Sequence, residues 1–171
     1  YYYCEITLSS GGCNNIVSNT GEIIVNPDPK VDQQPKNTDT ICIGGTISTP
    51  LEVTYQAGTG VGNDTYQWYE NTVPVNSGGT LISGATNSTF TPNTAGLGIG
   101  DYYYYAVISF DGNHCDTATS HIAHIHILDD PIVSAPLPAF QEKCESSATI
   151  PLTVTATGGV GIMQYQWYEN T

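Results

Sequence analysis

Cations are what this sequence has least of. Lysine and arginine together number 3, against 16 aspartates and glutamates, for a formal net charge of -13. That shortage argues against nucleic acid as a partner, because its phosphates are held through Lys and Arg. It argues equally against an anionic membrane surface. Charged residues of either sign make up only 11% of the chain, so Thr, Ser, Asn and Gly carry the polar faces. Apolar residues never gather into the run of about 20 that spans a bilayer. No stretch shows a helical period. The marks of catalysis are missing too: no Ser-His-Asp order carries a nucleophile turn, and no phosphate loop or isolated acid pair stands out. The chain therefore reads as a non-enzyme with no cofactor. No signal peptide is visible, but the chain opens inside a repeat, which makes that absence uninformative.

What is present is repetition. Tyr1 to Leu8 returns as Tyr103 to Phe110, displaced by 102 residues, and the displacement holds through Cys13/Cys115 and Ile23/Ile125 to Pro29/Pro131. A strand alternates faces with period two. In the first copy Glu5 and Thr7 share one face, so Tyr2, Cys4, Ile6 and Leu8 belong to the core side. Carried over, Tyr104, Ala106, Ile108 and Phe110 point inward, and Tyr103, Tyr105, Val107 and Ser109 point outward. A further copy follows: Pro151-Leu152 repeats Pro50-Leu51, and Tyr165 to Thr171 repeats Tyr66 to Thr72 at all 7 positions.

The 171 residues leave room for one domain of the usual size, about 100 residues, plus pieces. Residues 1–30 read as the last hairpin of one repeat, 31–130 as a complete repeat, and 131–171 as the start of the next. Within the complete repeat, Leu51, Val53 and Tyr55 alternate with polar residues, as a half-buried strand does. Tyr66 to Glu70 is a strand carrying Trp68 inward. Val73 to Val75, Leu81-Ile82 and Thr89 to Thr91 are short strands. The last strand runs from Ser120 to Leu128, and Asn26 to Asn37, with three prolines, reads as a stiff linker. Leu51, Val53, Trp68, Tyr104, Ile108 and Phe110 are the expected core.

About seven short strands, a Trp on the third and an Asp-x-x-Tyr approach to the sixth make an all-β, immunoglobulin-like sandwich pattern. The motifs Cys42-Ile43-Gly44, Gln67-Trp68-Tyr69, Gly84-Ala85-Thr86 and Cys115 carry a closer resemblance. The chain resembles the tandem Ig-like repeats of large secreted surface proteins of Bacteroidota, the adhesin and gliding-associated class. That resemblance implies a cell-surface, extracellular location, adjacent repeats of the same chain as partners, and other fibre strands or surface glycans as further ones. The chain departs from antibody domains in lacking the second-strand cysteine, with Ala106 at the sixth-strand position.

Sandwich topology then bears on the five cysteines. The first and last strands run parallel. Both begin at the end that carries the final turn, so Cys42 and Cys115 start neighbouring strands and are expected to form a disulfide within the repeat. The competing pairing is Cys13 with Cys42 and Cys115 with Cys144, across the linkers. On the first arrangement Cys4, Cys13 and Cys144 find no partner within the chain, and Cys4 is a small buried residue or half of an antibody-like bridge. A disulfide implies an oxidising compartment.

Three further features carry candidate chemistry. His124 and His126 lie two apart on one face, about 7 Å, and imidazoles so placed can hold zinc or copper. The first copy has Glu22 and Ile24 there, so exposed strand histidines without a metal are the expectation. Asp129 and Asp130 at the second linker are expected to be solvated acids, with calcium at the joint as the alternative. Thr40 and Thr117 follow aspartate in the pattern of the Bacteroidota O-glycosylation signal. The functional expectation is a structural repeat of a surface fibre or adhesin stalk. A glycan-binding module gripping sugar with Tyr69, Tyr103 and Tyr105, and an accessory domain of a secreted hydrolase, are the alternatives.

Overall fold

The repeated tyrosine stretch forms the longest strand, β10 (Gly100–Phe110, 11 residues). Its aromatic and β-branched residues suit a pleated, half-buried surface. In this computed structural model every residue is described except 26, 57–61, 112–116, 136, 138–139, 149 and 171. The described residues hold strands and turns and no helix, hence none long and apolar enough to cross a membrane.

β10 lies at the centre of the larger sheet. On one side it pairs antiparallel with β7 (Asp64–Asn71), which pairs in turn with β8 (Thr80–Leu81). On the other side it pairs with β12 (Ala123–Leu128), and β12 pairs in parallel with β4 (Thr38–Cys42). A second layer is built from β3 (Lys30–Gln33) against β6 (Thr54–Gln56), and β5 (Leu51–Glu52) against β9 (Thr89–Phe90). The complete repeat therefore begins in one sheet as β3 and crosses to the other as β4, where it runs parallel to its last strand, β12. That crossover, with the order β4-β12-β10-β7-β8, is an immunoglobulin-like arrangement. The stretch expected to be linker, Asn26 to Asn37, thus contains β3. Its prolines flank the strand, where a missing N–H costs no ladder bond.

The core lies between the layers. Leu51 and Val53 from one sheet meet Trp68, Tyr104, Ala106, Ile108, Ala123, Ile125 and Ile127 from the other, all buried. Trp68 and Val53 are fully buried. Phe90 bridges the sheets, its ring 5.6 Å from Trp68 and 5.8 Å from Tyr104. The indole N–H of Trp68 donates to the carbonyl of Asn87 at 2.9 Å, so its one polar atom is satisfied. Phe110 is only half-buried and packs edge-on against Tyr55 at 5.1 Å. Val73 to Val75, expected as a strand, is a turn closed by Val75 N–H to the Val73 carbonyl.

The last strand is not continuous. β11 (Ala118–Thr119) pairs with β10 at Ile108 and Val107, and β12 resumes pairing at Tyr104. Between them Tyr105 and Ala106 oppose three residues, Ser120, His121 and Ile122, which is a β-bulge. Ser120, fully buried, repairs the ladder. Its backbone N–H donates to the Ala106 carbonyl at 2.9 Å, and its Oγ accepts from the Ala106 N–H at 2.9 Å. That Oγ also donates to the His121 carbonyl at 2.8 Å, while the Ser120 carbonyl turns away to accept from Asn76 Nδ2.

The same device occurs 102 residues earlier. β1 (Glu5–Ile6) pairs with β2 (Ile16–Val17) in the register of Val107 and Ile108 with Thr119 and Ala118. The bridge Tyr2 to Gly21 matches Tyr104 to Ala123. Ser18 Oγ accepts from Cys4 N–H at 2.9 Å and donates to the Asn19 carbonyl, repeating Ser120, Ala106 and His121. At the other end β13 (Ile132–Ala135) and β14 (Thr155–Thr157) repeat the pairing of β3 and β6, down to a register shift between Val133 and Ala135 matching that between Val31 and Gln33.

Candidate functional site

The outer face of the larger sheet is where polar and aromatic chemistry concentrates. β12 alternates Ala123, Ile125 and Ile127 inward with His124 and His126 outward. The register sets Asp101 directly across from His126, and Tyr103 across from His124. The Asp101 carboxylate reaches both imidazoles: its Oδ1 lies 2.6 Å from His124 Nε2 and 2.6 Å from His126 Nδ1. The three side chains are partly open, with exposures of 46% for Asp101, 27% for His124 and 36% for His126. Hydrogen bonding to His124 first, and to His126 next, holds the Asp101 carboxyl below the usual aspartate range. Tyr103 stacks on the His124 ring at 4.9 Å and fixes its plane. His121, the third histidine expected on this strand, is exposed in the bulge, where its backbone N–H donates to Gln34 Oε1.

Asp101 is the residue that sequence reasoning missed. Its signal was the antiparallel register: a carboxylate two residues before Tyr103 falls diagonally across from His124 and squarely across from His126. Among the described residues these three side chains form a group able to ligate a metal, whereas the linker acids Asp129 and Asp130 do not.

The tyrosine face differs from the expectation. Tyr105 faces outward as expected but is covered, at 3% exposed. It stacks on Tyr69 at 5.2 Å, nearly parallel at 9°, and its hydroxyl accepts the Gly79 N–H at 3.0 Å. The segment Asn76 to Thr80 folds over it. Gly79 permits that approach, since a Cβ there would stand 2.5 Å from the Glu70 carbonyl oxygen. Of the three tyrosines expected to offer a sugar platform, Tyr105 is thereby covered, while Tyr69 and Tyr103 are half-buried.

The cysteine expectation also changes. The bond from Cys42 to Cys115 ends on a residue outside those described. Cys42, however, does not start its strand beside the last turn: it ends β4, level with Leu128. The parallel direction of β4 and β12 is as expected, and Cys42 stands at the opposite end of its strand from the one expected. Cys4, expected on a buried face, is exposed, as are Cys13 and Cys144, and no two of the four described cysteines are bonded. Thr40 is half-buried on β4 beside His126, and Thr117 is exposed.

An all-β sandwich whose first edge crosses from one sheet to the other, with its polar groups on the outer face of the larger sheet, defines an Ig-like module. Residues 32–129 match the family described as Domain of unknown function (DUF8696), and the chain belongs to that family. No curated protein matches it. Among solved structures it is similar to Sidekick-1 immunoglobulin domains 1-4, at 19% identity and a TM-score of 0.46, over 74% of this chain and 33% of that one. The chain thus spans about a third of that structure's length.

Proposed function

We propose that this chain is a segment of an extracellular stalk, a run of tandem Ig-like repeats on a secreted bacterial surface protein of the adhesin class, working through reach and mechanical stability. The observation that carries the reading is the repeated register. One hairpin before the complete repeat reproduces its β10–β11 pairing, bulge and serine included, and one after it reproduces its β3–β6 pairing. The apolar residues of these flanks support the same reading. Ile6 is 51% exposed where its counterpart Ile108 is fully buried, and Trp167 is 49% exposed where Trp68 is fully buried. Trp167 lines an open cavity of about 930 Å³ with Phe140, Ile150 and Leu152, the space that elements like β9 and β10 fill beside Trp68.

On this reading the cysteines act at the joints. Cys42 sits at the pole of the repeat that carries Leu128, and lines a cavity of about 270 Å³ with Pro131 and residues 158–165 of the following segment. Cys13 lies in the turn between β1 and β2, the opposite pole of its hairpin. Each repeat then offers one thiol to the repeat before it and one to the repeat after it. Electron microscopy of the parent polypeptide tests the stalk, with beads expected every ~35 Å for strands of about ten residues. A single compact particle would refute it. Non-reducing peptide mapping of the same material tests the joints: Cys42 is expected in a cross-repeat peptide, and a Cys42–Cys115 peptide would refute that pairing.

A further inference from the structure

The geometry points to a divalent transition-metal site on the outer face of the larger sheet, with Asp101 Oδ1, His124 Nε2 and His126 Nδ1 as its protein ligands. The three atoms lie within 4.8 Å of one another. They come from two hydrogen-bonded strands and none from a loop, so their spacing is fixed by the ladder between Gly100–Tyr104 and Ala123–Ile127. Around a tetrahedral zinc ion, with bonds near 2.0–2.1 Å, neighbouring ligand atoms stand about 3.3 Å apart. The two contacts of 2.6 Å open by ~0.7 Å as the carboxylate rotates, and the two imidazole nitrogens, at most 4.8 Å apart, close by up to ~1.5 Å. The stack of Tyr103 on His124 holds one ring in place beforehand.

The donor set selects the ion. Two imidazoles and one carboxylate suit zinc, copper(II) or nickel(II), and lack the oxygen-only shell that calcium and magnesium require. Three protein ligands leave the remaining positions open, and the partial exposure of all three side chains puts those positions in solvent. Water, or a carboxylate or imidazole from another molecule, can complete the shell. The protein's electrostatics favour a cation at this surface: the formal net charge is -13. The first copy carries Glu22 and Ile24 at the positions of His124 and His126, so the site belongs to one repeat and not to the array. It therefore stands or falls independently of the stalk.

Titration calorimetry of the full chain, stripped of metal and mixed with zinc chloride, tests it. Saturable binding in the micromolar range with roughly one ion per chain is expected, zinc serving as the probe for this ligand class. Asp101→Asn keeps the shape of the side chain and removes its charge. It should weaken binding at least as much as the loss of a supporting hydrogen bond does in other sites, about 10-fold or more. His126→Ala should do the same, and His121→Ala should leave binding unchanged. Zinc-induced shifts of the His124 and His126 ring resonances provide a second readout that folding defects in a variant do not imitate. No saturable binding, or binding that survives both Asp101→Asn and His126→Ala, would overturn the assignment.

Discussion

Replacing Ser120 with alanine should destabilise the complete repeat far more than a serine-to-alanine change on a strand normally does. The residue is fully buried, and so is Ala106 across from it. In a regular antiparallel ladder the Ala106 N–H would meet a backbone carbonyl. The bulge has turned that carbonyl toward Asn76, and the Ser120 hydroxyl takes its place at 2.9 Å. Alanine retains the Cβ, so the substitution opens almost no cavity. What it leaves is a backbone N–H without a partner, in a position water does not reach. An orphaned buried donor costs about 1–3 kcal/mol. The hydroxyl's other bond, to the carbonyl of exposed His121, is replaceable by solvent and adds little. Spread over a domain near 100 residues, 2 kcal/mol lowers Tm by roughly 8–16 °C.

Urea and thermal unfolding of the whole chain, followed by tryptophan fluorescence, would measure it, because Trp68 is fully buried and dominates the change on unfolding. Thr119→Ala, one residue away on the exposed face, is the control and should stay within about 0.5 kcal/mol of the parent. If Ser120→Ala also stays within about 0.5 kcal/mol, the hydroxyl is not what holds the bulge and the reasoning fails.

Tyr105→Phe removes only the acceptor for the Gly79 N–H, and should cost about 1 kcal/mol by chemical denaturation while leaving the stack on Tyr69 intact; an unchanged midpoint would show that water serves Gly79 equally well. Burial, with Glu70 next in importance, pushes the Tyr104 hydroxyl up to about 12, and burial with a hydrogen bond to Asp64 does the same for Tyr66. The folded state holds these protons more tightly than the unfolded chain. The stability they contribute is therefore complete below the ordinary tyrosine value of about 10. It is lost as pH rises from there through about 12. A spectrophotometric titration should show these two tyrosines ionising after the exposed ones and together with loss of structure, and a single transition near 10 would contradict it.

The fold class was legible because its signals are local. Alternation in Leu51 to Tyr55 and the inward Trp68 needed no tertiary knowledge, and neither did the 102-residue displacement. What escaped was decided between strands. The bulge at Ser120 has no local signature, although serine recurs at Ser18 while its neighbours change from Asn19-Thr20 to His121-Ile122, and that persistence marked it. Tyr105 alternates outward correctly and is buried all the same, because Asn76 to Thr80 lies over it. The Asp101 cluster needed the register of β10 with β12, which periodicity on a single strand does not supply. Cys42 was misplaced for a related reason: the direction of β4 follows from the sandwich, but which of its residues stands level with which end of β12 does not.

The parallel pairing of β4 with β12 bears on how a stalk would carry load. The repeat begins at β3, and β12 leads out of it at the pole where Cys42 sits. Tension on the two ends would draw β4 and β12 past one another along their length. The ladder from His124↔Thr38 to Leu128↔Cys42 is then loaded in shear, so its bonds must break together and not one after another. Its closing bond is the Ile43 N–H donating to the Leu128 carbonyl at 2.8 Å, and Ile43 is 41% exposed, so its side chain adds little to the core. Ile43→Pro deletes that donor at a strand end, where the ring is tolerated. In single-molecule pulling it should lower the unfolding force of the complete repeat by more than its modest loss of equilibrium stability accounts for. An unfolding force that merely tracks the equilibrium change would show that the load passes through some other part of the sandwich.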